Sequence, residues 1–163
     1  MLFNVLIGSR SFGRFSPNGL RILEDNNCTV IQNPYGHALN ENELMEFITK
    51  IDAIVTGMDQ LTAGVLKKSE RLKVISKHGV GIDNIDIKAA TNKRIVVTNI
   101  PAGTEECNAV ADFTFALILS IARKICEADT NTKKGNWVKL LGSEVFGKTI
   151  GVIGVGSIGK SVI

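Results

Sequence analysis

At 163 residues, 44% hydrophobic and 21% charged, the chain has room for one domain, or one domain plus part of another, and is not disordered by composition. A net charge of +3 without any Lys/Arg run interleaved with aromatics suits anionic metabolites and argues against nucleic acid. The three cysteines, Cys28, Cys107 and Cys126, are odd in number and scattered, so they make neither a disulfide framework nor a metal-ligand set; reduced cytosolic thiols and no metal site are expected.

The elements follow in chain order. Phe3–Gly8 is an apolar strand ending in glycine. Ser16 and Pro17 read as N-cap and first helical residue of a helix reaching about Asn26. Thr29–Gln32 is the second strand, and Asn40-Glu-Asn-Glu43 is a capping-box variant opening a helix to about Thr49. Ala53–Gly57 is the third strand, Thr62 caps a helix to about Lys68, and Leu72–Ser76 is the fourth strand. Gly79-Val-Gly-Ile-Asp83 forms the loop beyond it, Asp86 caps a helix to about Asn92, and Ile95–Thr98 is the fifth strand, stopped by Pro101.

Five strand–helix alternations with short connections predict an α/β, flavodoxin-like, doubly wound parallel sheet. Its strands read as continuous apolar runs, as when both faces are covered. Ligands in such sheets sit beyond the carboxyl ends of the strands, which singles out the loops Ser9–Arg14, Thr56–Gln60, Lys77–Asn84 and Asn99–Thr104.

A second region begins near Gly103. Thr104 is an N-cap candidate, with Glu105 and Glu106 suited to the helix dipole. From Ala109 to Cys126 the helix is apolar nearly all round, so burial on several sides, between domains or subunits, is expected. Asp112, Arg123 and Lys124 interrupt its apolar stretch, which is too short for a membrane span, and the N-terminus has no basic n-region or cleavage site, so a cytoplasmic location is expected. Asp129–Lys148 reads as a polar arm carrying Trp137 and Phe146.

The last fifteen residues read as a strand, Thr149–Ile153, then Gly154-Val-Gly156-Ser-Ile-Gly159, then the first turn of a helix. This is the context in which G-x-G-x-x-G signals a dinucleotide site. Gly154 permits the tight turn, Gly156 lets a pyrophosphate approach the backbone, Gly159 lets helix and strand pack closely, and the helix N-terminus faces the phosphates. The acidic residue such a site wants roughly 20 positions further on, to hold a ribose hydroxyl, is not among these residues.

Several of these stretches together resemble the D-isomer-specific 2-hydroxyacid dehydrogenases, nearest the phosphoglycerate dehydrogenase branch. They are Lys73-Val-Ile-Ser-Lys-His-Gly-Val-Gly-Ile-Asp-Asn84, Ile95-Val-Val-Thr-Asn-Ile-Pro101, Val110-Ala-Asp112, Ala122-Arg123, Gly135-Asn-Trp137, Phe146-Gly-Lys-Thr149 and the glycine motif. The resemblance covers nearly the whole chain and implies the N-terminal half of such an enzyme. It implies a substrate-binding lobe at residues 1–102, and a crossing helix, an arm and the first strand–helix unit of a Rossmann NAD-binding domain at 103–163. It also implies a small 2-hydroxy or 2-oxo acid as substrate and a homodimer joined through residues 104–163.

By that similarity the N–H groups of Val80 and Gly81 hold the substrate carboxylate. Glycines on both sides of Val80 suit an anion-binding nest, and suit equally a turn needing positive φ. Lys77 stands where the family often has a basic residue near the substrate, or is a solvated surface lysine. Thr104 falls at a cofactor-contacting position, or is a plain N-cap. Gly154, Gly156, Ser157, Ile158 and Gly159 would meet NAD. His78 lies beside the cleft but not at the family's catalytic histidine position, and reads as packed or solvated. Phosphoglycerate-using members often carry arginine at the end of the third strand, where this chain has Thr56; Arg10, Arg14 or Lys77 could supply charge instead. Glutamate is usual where Asp112 stands.

The family's catalytic arginine and glutamate–histidine pair lie far beyond the glycine motif, so no catalytic residue is expected among these 163. On this reading the isolated chain is inactive, with weak or no NAD binding. The alternative is a non-enzymatic module that binds a small anion or mediates oligomerisation. A flavin-binding flavodoxin-like protein is a weaker option, because the loops after the first and third strands lack a Ser/Thr-rich phosphate cradle.

Overall fold

The computed structural model describes residues 2–101, 103 and 106–163. They form two compact units, Met1–Pro101 and Ala102–Ile163.

The first unit alternates β1 (Phe3–Ile7), α1 (Asn18–Asp25), β2 (Cys28–Gln32), α2 (Glu41–Met45), β3 (Ala53–Thr56), α3 (Ala63–Lys68), β4 (Val74–Lys77), α4 (Ile87–Asn92) and β5 (Val96–Thr98). All pairings are parallel, in the order β2-β1-β3-β4-β5. This is the flavodoxin-like order, with its switch point between β1 and β3.

The helix starts follow from side-chain caps. Asn40 Oδ1 accepts from Glu43 N at 3.1 Å, and Glu43 Oε2 accepts from Asn40 N at 3.0 Å, a complete capping box. Thr62 Oγ1 accepts from Val65 N, and Asp86 Oδ1 from Ala89 N at 2.8 Å. The α1 start lies one residue later than expected: Pro17 takes the N-cap position, and Ser16 Oγ accepts from Asn18 N at 3.4 Å. The fourth strand is also shifted, because Lys77 pairs with Thr56 at the end of the β3–β4 ladder.

Period-2 alternation splits the apolar side chains between the two sheet faces. Leu6, Ile54, Ile75 and Val97 stand in register across β1, β3, β4 and β5. They pack with Leu44, Ile48, Val65, Leu66 and Ala90 from α2, α3, α4 and the turn after α2. On the other face Val5, Ile7 and Val55 meet Phe12, Leu20 and Leu23. There α1 is the covering helix, and an apolar groove of about 410 Å³ runs along Phe3, Ala53, Val55 and Val74. The sheet is thus covered on both faces, closely by α2, α3 and α4 on one and in part by α1 on the other.

The second unit holds α5 (Glu106–Ala122), α6 (Ile125–Lys133) and α7 (Ser157–Val162), with α7 packed on α5. Three expectations are corrected here. The long apolar helix breaks at Lys124, which is left-handed (φ 53), and Ser143 N donates to the Ala122 carbonyl at the break, 2.7 Å away. The segment expected to open the polar arm continues instead as α6 to Lys133. Residues 149–153 form no strand, because a strand needs a partner ladder and the described residues of this unit supply none. In the single chain α5 exposes Val110, Phe113, Phe115, Leu117, Leu119 and Ile121. No helix among the described residues is long and apolar enough to cross a membrane.

Candidate functional site

An open cleft of about 1080 Å³ lies at the carboxyl ends of β1, β2, β3 and β4. Three of the four loops singled out from sequence line it: Ser9–Arg14, Gly57–Met58 and Lys77–Asn84. Two corrections follow. The segment after β2 also lines it, through Asn33, Gly36 and Ala38; the same rule, applied to β2, would have found it. No described residue of the fourth loop lines it. That loop braces the site instead, as Asn99 Nδ2 donates to Val80 O at 2.8 Å and Ile100 N to Gly79 O at 3.1 Å.

These bonds use the carbonyls of the Gly79–Val80 segment and leave its N–H groups. Among the described residues neither Val80 N nor Gly81 N has an acceptor, and both residues are exposed at the cleft. Adjacent backbone donors in a concave site with no internal partner suit an anion. A Cβ on Gly81 would stand 3.3 Å from Asp83 Oδ2, so the loop is tight there.

The base of the loop is held by a buried polar network that sequence reasoning did not find. Asp59 is 0% exposed. Its carboxylate accepts from Leu39 N (2.8 Å), Thr56 Oγ1 (2.7 Å) and Gly57 N (3.1 Å). Asn84 Nδ2 donates to Asp59 O at 2.7 Å and to Gly57 O at 3.3 Å. The Lys77 ammonium donates to Asn84 Oδ1 at 2.7 Å and to Gly57 O. Gly8 backs directly onto this network, since a Cβ there would stand 2.4 Å from Asp59 Oδ2. Asp59 and Asn84 carried no spacing signal, since Asp59 meets Leu39 and Asn84 meets Asp59 across 20 and 25 residues.

Lys77 lines the cleft, yet it is only 6% exposed and its ammonium is committed to the loop, so it is no solvated surface lysine. Burial pushes its pKa below the ordinary 10.5, and the Asp59 and Asp83 carboxylates pull it part of the way back. The folded state thus releases this proton at lower pH than the unfolded state does. Stability should rise with pH across the alkaline window that ends at 10.5. Replacing Lys77 by methionine should flatten that rise, read as urea midpoints across the window; an unchanged slope would mean that Lys77 titrates alike in both states.

His78 is exposed at the cleft wall, with Nδ1 2.9 Å from Ser9 Oγ and 3.3 Å from Ser11 Oγ, and its ring edge-on to Phe12. Thr56 is buried with its hydroxyl on Asp59, so it closes the wall and offers nothing to the cleft.

In the second unit the glycine motif has the local geometry its spacing asks for. Gly154 has φ +94, and Gly156 is the N-cap of α7 with no neighbouring atom within 4 Å of where a Cβ would stand. A Cβ on Gly159 would lie 2.1 Å from Gly154 O, so only glycine fits. Ser157 and Ile158 form the exposed first turn of α7. Thr104 lies outside the described residues.

Comparison with known proteins agrees with this arrangement. Residues 6–156 match the profile of the D-isomer specific 2-hydroxyacid dehydrogenase, catalytic domain. The chain is 43% identical over 128 residues to a D-3-phosphoglycerate dehydrogenase of Methanocaldococcus jannaschii, covering 77% of this chain and 24% of that protein. It is 40% identical over 129 residues to a glyoxylate reductase of Thermococcus gammatolerans, covering 73% of this chain and 38% of that protein. Among solved structures, the D-lactate dehydrogenase of Aquifex aeolicus, complexed with NAD and lactic acid, superposes with a TM-score of 0.69 at 30% identity, over 98% of this chain and 46% of that one. The chain thus spans between a quarter and half the length of these relatives. The parallel sheet, the glycine-flanked loop beyond β4 and the match over nearly all residues agree, and the chain belongs to the D-isomer specific 2-hydroxyacid dehydrogenase family.

Proposed function

We propose that this chain forms the N-terminal part of an NAD-dependent oxidoreductase that interconverts a D-2-hydroxy acid, such as 3-phosphoglycerate, and its 2-oxo acid. Residues 1–102 are the substrate lobe; residues 103–163 hold the crossing helix, the arm and the start of the NAD-binding domain. The observation that carries the reading is the pair of unpartnered N–H groups on Val80 and Gly81 at the cleft. They hold the substrate carboxylate, while Lys77 and Asn84 fix the loop that presents them. A bound NAD supplies the hydride. Gly154 and Gly156 admit its pyrophosphate, Ser157 and Ile158 offer N–H groups at the first turn of α7, and Gly159 keeps that turn close. Thr104 is assigned to the cofactor side on resemblance alone. The proton-handling groups are not among these residues, so no catalytic role is assigned within them, and the reading carries a cytoplasmic location with it.

Three results are expected of the isolated 163-residue chain. Glycolate should shift the backbone amide resonances of Val80 and Gly81, while NADH with hydroxypyruvate should show no turnover and NAD little or no binding. Glycolate that moves other amides and leaves these two in place would remove the carboxylate assignment.

The exposed apolar surface of the second unit supports the oligomerisation reading alongside. Trp137 is 98% exposed, and Phe113, Ile121, Leu141 and Phe146 are exposed with it. Apolar surface of this extent needs cover. A homodimer built on residues 104–163 is expected in sedimentation equilibrium; a monomer at every concentration would rule it out for this chain.

A further inference from the structure

We propose that the cleft contains a second anion subsite, formed by His78 with Ser9, Ser11, Arg10 and Arg14, so that the ligand carries a second anionic group besides its carboxylate. This rests on the carboxylate reading of Val80 and Gly81. Ser9 is buried and fixed by its own N–H, which donates to Val55 O at 3.1 Å. Its hydroxyl stands 2.9 Å from His78 Nδ1, with the Ser11 hydroxyl 3.3 Å from the same atom. Phe12 meets the imidazole edge-on, with ring centroids 5.7 Å apart, and holds the ring plane. With Ser9 donating to Nδ1, the ring hydrogen sits on Nε2. That atom has no partner among the described residues, and the ring lines the cleft. Two hydroxyls and an aromatic edge thus orient one imidazole, and in the tautomer with Ser9 as donor Nε2 carries the hydrogen that a ligand oxygen would accept.

The charge beside it has the matching sign. Arg10 and Arg14 lie on the same loop as the two serines, and both line the cleft. Neither has a carboxylate partner among the described residues. Arg10 reaches only Gly36 O, at 3.4 Å, and Arg14 lies 5.9 Å from the Phe15 ring. Lys77, by contrast, is committed to Asn84 and Gly57. The cations left for a ligand therefore stand on the β1 side, while the carboxylate donors stand on the β4 loop. A phosphoryl or a carboxylate group at the far end of a 2-hydroxy acid is the chemistry that answers both.

The test is calorimetric titration of the 163-residue chain with glycolate, D-malate and D-3-phosphoglycerate. Malate and 3-phosphoglycerate should each bind about tenfold or more tightly than glycolate, since charge-assisted hydrogen bonds are being added. His78→Ala and Arg10→Ala should each drive the ratio of either affinity to that of glycolate toward one, and His78→Gln, which keeps a side-chain donor, should hold part of it. Phosphoglycerate ahead of malate assigns the subsite to a phosphoryl group, and the reverse assigns it to a carboxylate. Equal affinities for all three ligands, with glycolate still shifting the Val80 and Gly81 amides, overturn the subsite alone. So does a His78→Ala variant that weakens all three in parallel. Failure of all three to bind overturns the carboxylate reading together with the subsite.

Discussion

Replacing Asp59 by alanine should lower the folding stability of the chain by about 3–5 kcal/mol, the range for stripping a buried, hydrogen-bonded charge from its partners. The carboxylate is fully buried and accepts three bonds, so its loss strands two backbone donors, Leu39 N and Gly57 N, and the Thr56 hydroxyl. Leu39 and Thr56 are fully buried, so their donors cannot turn to water without moving the residues before α2 or β3. Asparagine at the same position keeps one acceptor and should cost less. Urea unfolding followed by far-UV circular dichroism measures both, with the midpoint falling and the slope unchanged. A loss under 1 kcal/mol for alanine, on the order of an ordinary surface change, would mean that water already serves these donors. Stability is only part of the effect. Gly57 and Asp59 also receive the Asn84 amide, so the Val80–Gly81 loop should loosen in the same variant and bind glycolate more weakly.

The second large effect separates the two faces of the sheet. Ile54 and Val55 are neighbours on β3 and point to opposite sides. Ile54 is 0% exposed among side chains from α2, α3 and α4, whereas Val55 is 8% exposed on the face covered by α1. Ile54→Ala should cost about 3–5 kcal/mol, the usual loss for a buried aliphatic truncated where neighbours cannot collapse onto the gap. Val55→Ala should cost about 1–2 kcal/mol, mostly the transfer free energy of the lost methyl groups. Equal losses would show that the α1 face is sealed as tightly as the other.

Where the sequence was informative, the cause is local. The Asn40–Glu43 capping box, the Thr62 cap and the Asp86 cap form because each needs only a side chain and a backbone N–H three residues apart. The strands were legible from runs such as Leu6-Ile7 and Ile54-Val55, and the site's place followed from parallel topology, which puts the loops after β1, β3 and β4 together. The glycine motif was legible because its turn is closed within six residues.

Where the sequence misled, the cause is a partner remote in the chain. The break at Lys124 has neither glycine nor proline to announce it; it is met by Ser143, whose N–H takes the Ala122 carbonyl, and by Gly142 lying against Ala122 and Arg123. Residues 149–153 have the composition of a strand, but composition does not provide the neighbouring strand whose carbonyls and N–H groups would complete it. Lys77 reads as a candidate substrate contact or a surface charge, and only packing shows that it is buried at the cleft with two of its three N–H groups on Asn84 and Gly57.

The sequence by itself thus determined the parallel α/β class, the starts of α2, α3 and α4, the glycine-flanked loop beyond β4 and the glycine motif, because each rests on periodicity or on contacts a few residues long. Only the tertiary structure decided which polar side chains are buried and where they point. Asp59 meets Leu39, Asn84 meets Asp59 and His78 meets Ser9 across 20, 25 and 69 residues, and a hydrogen bond closed over such a separation exists only after the sheet has brought its ends together.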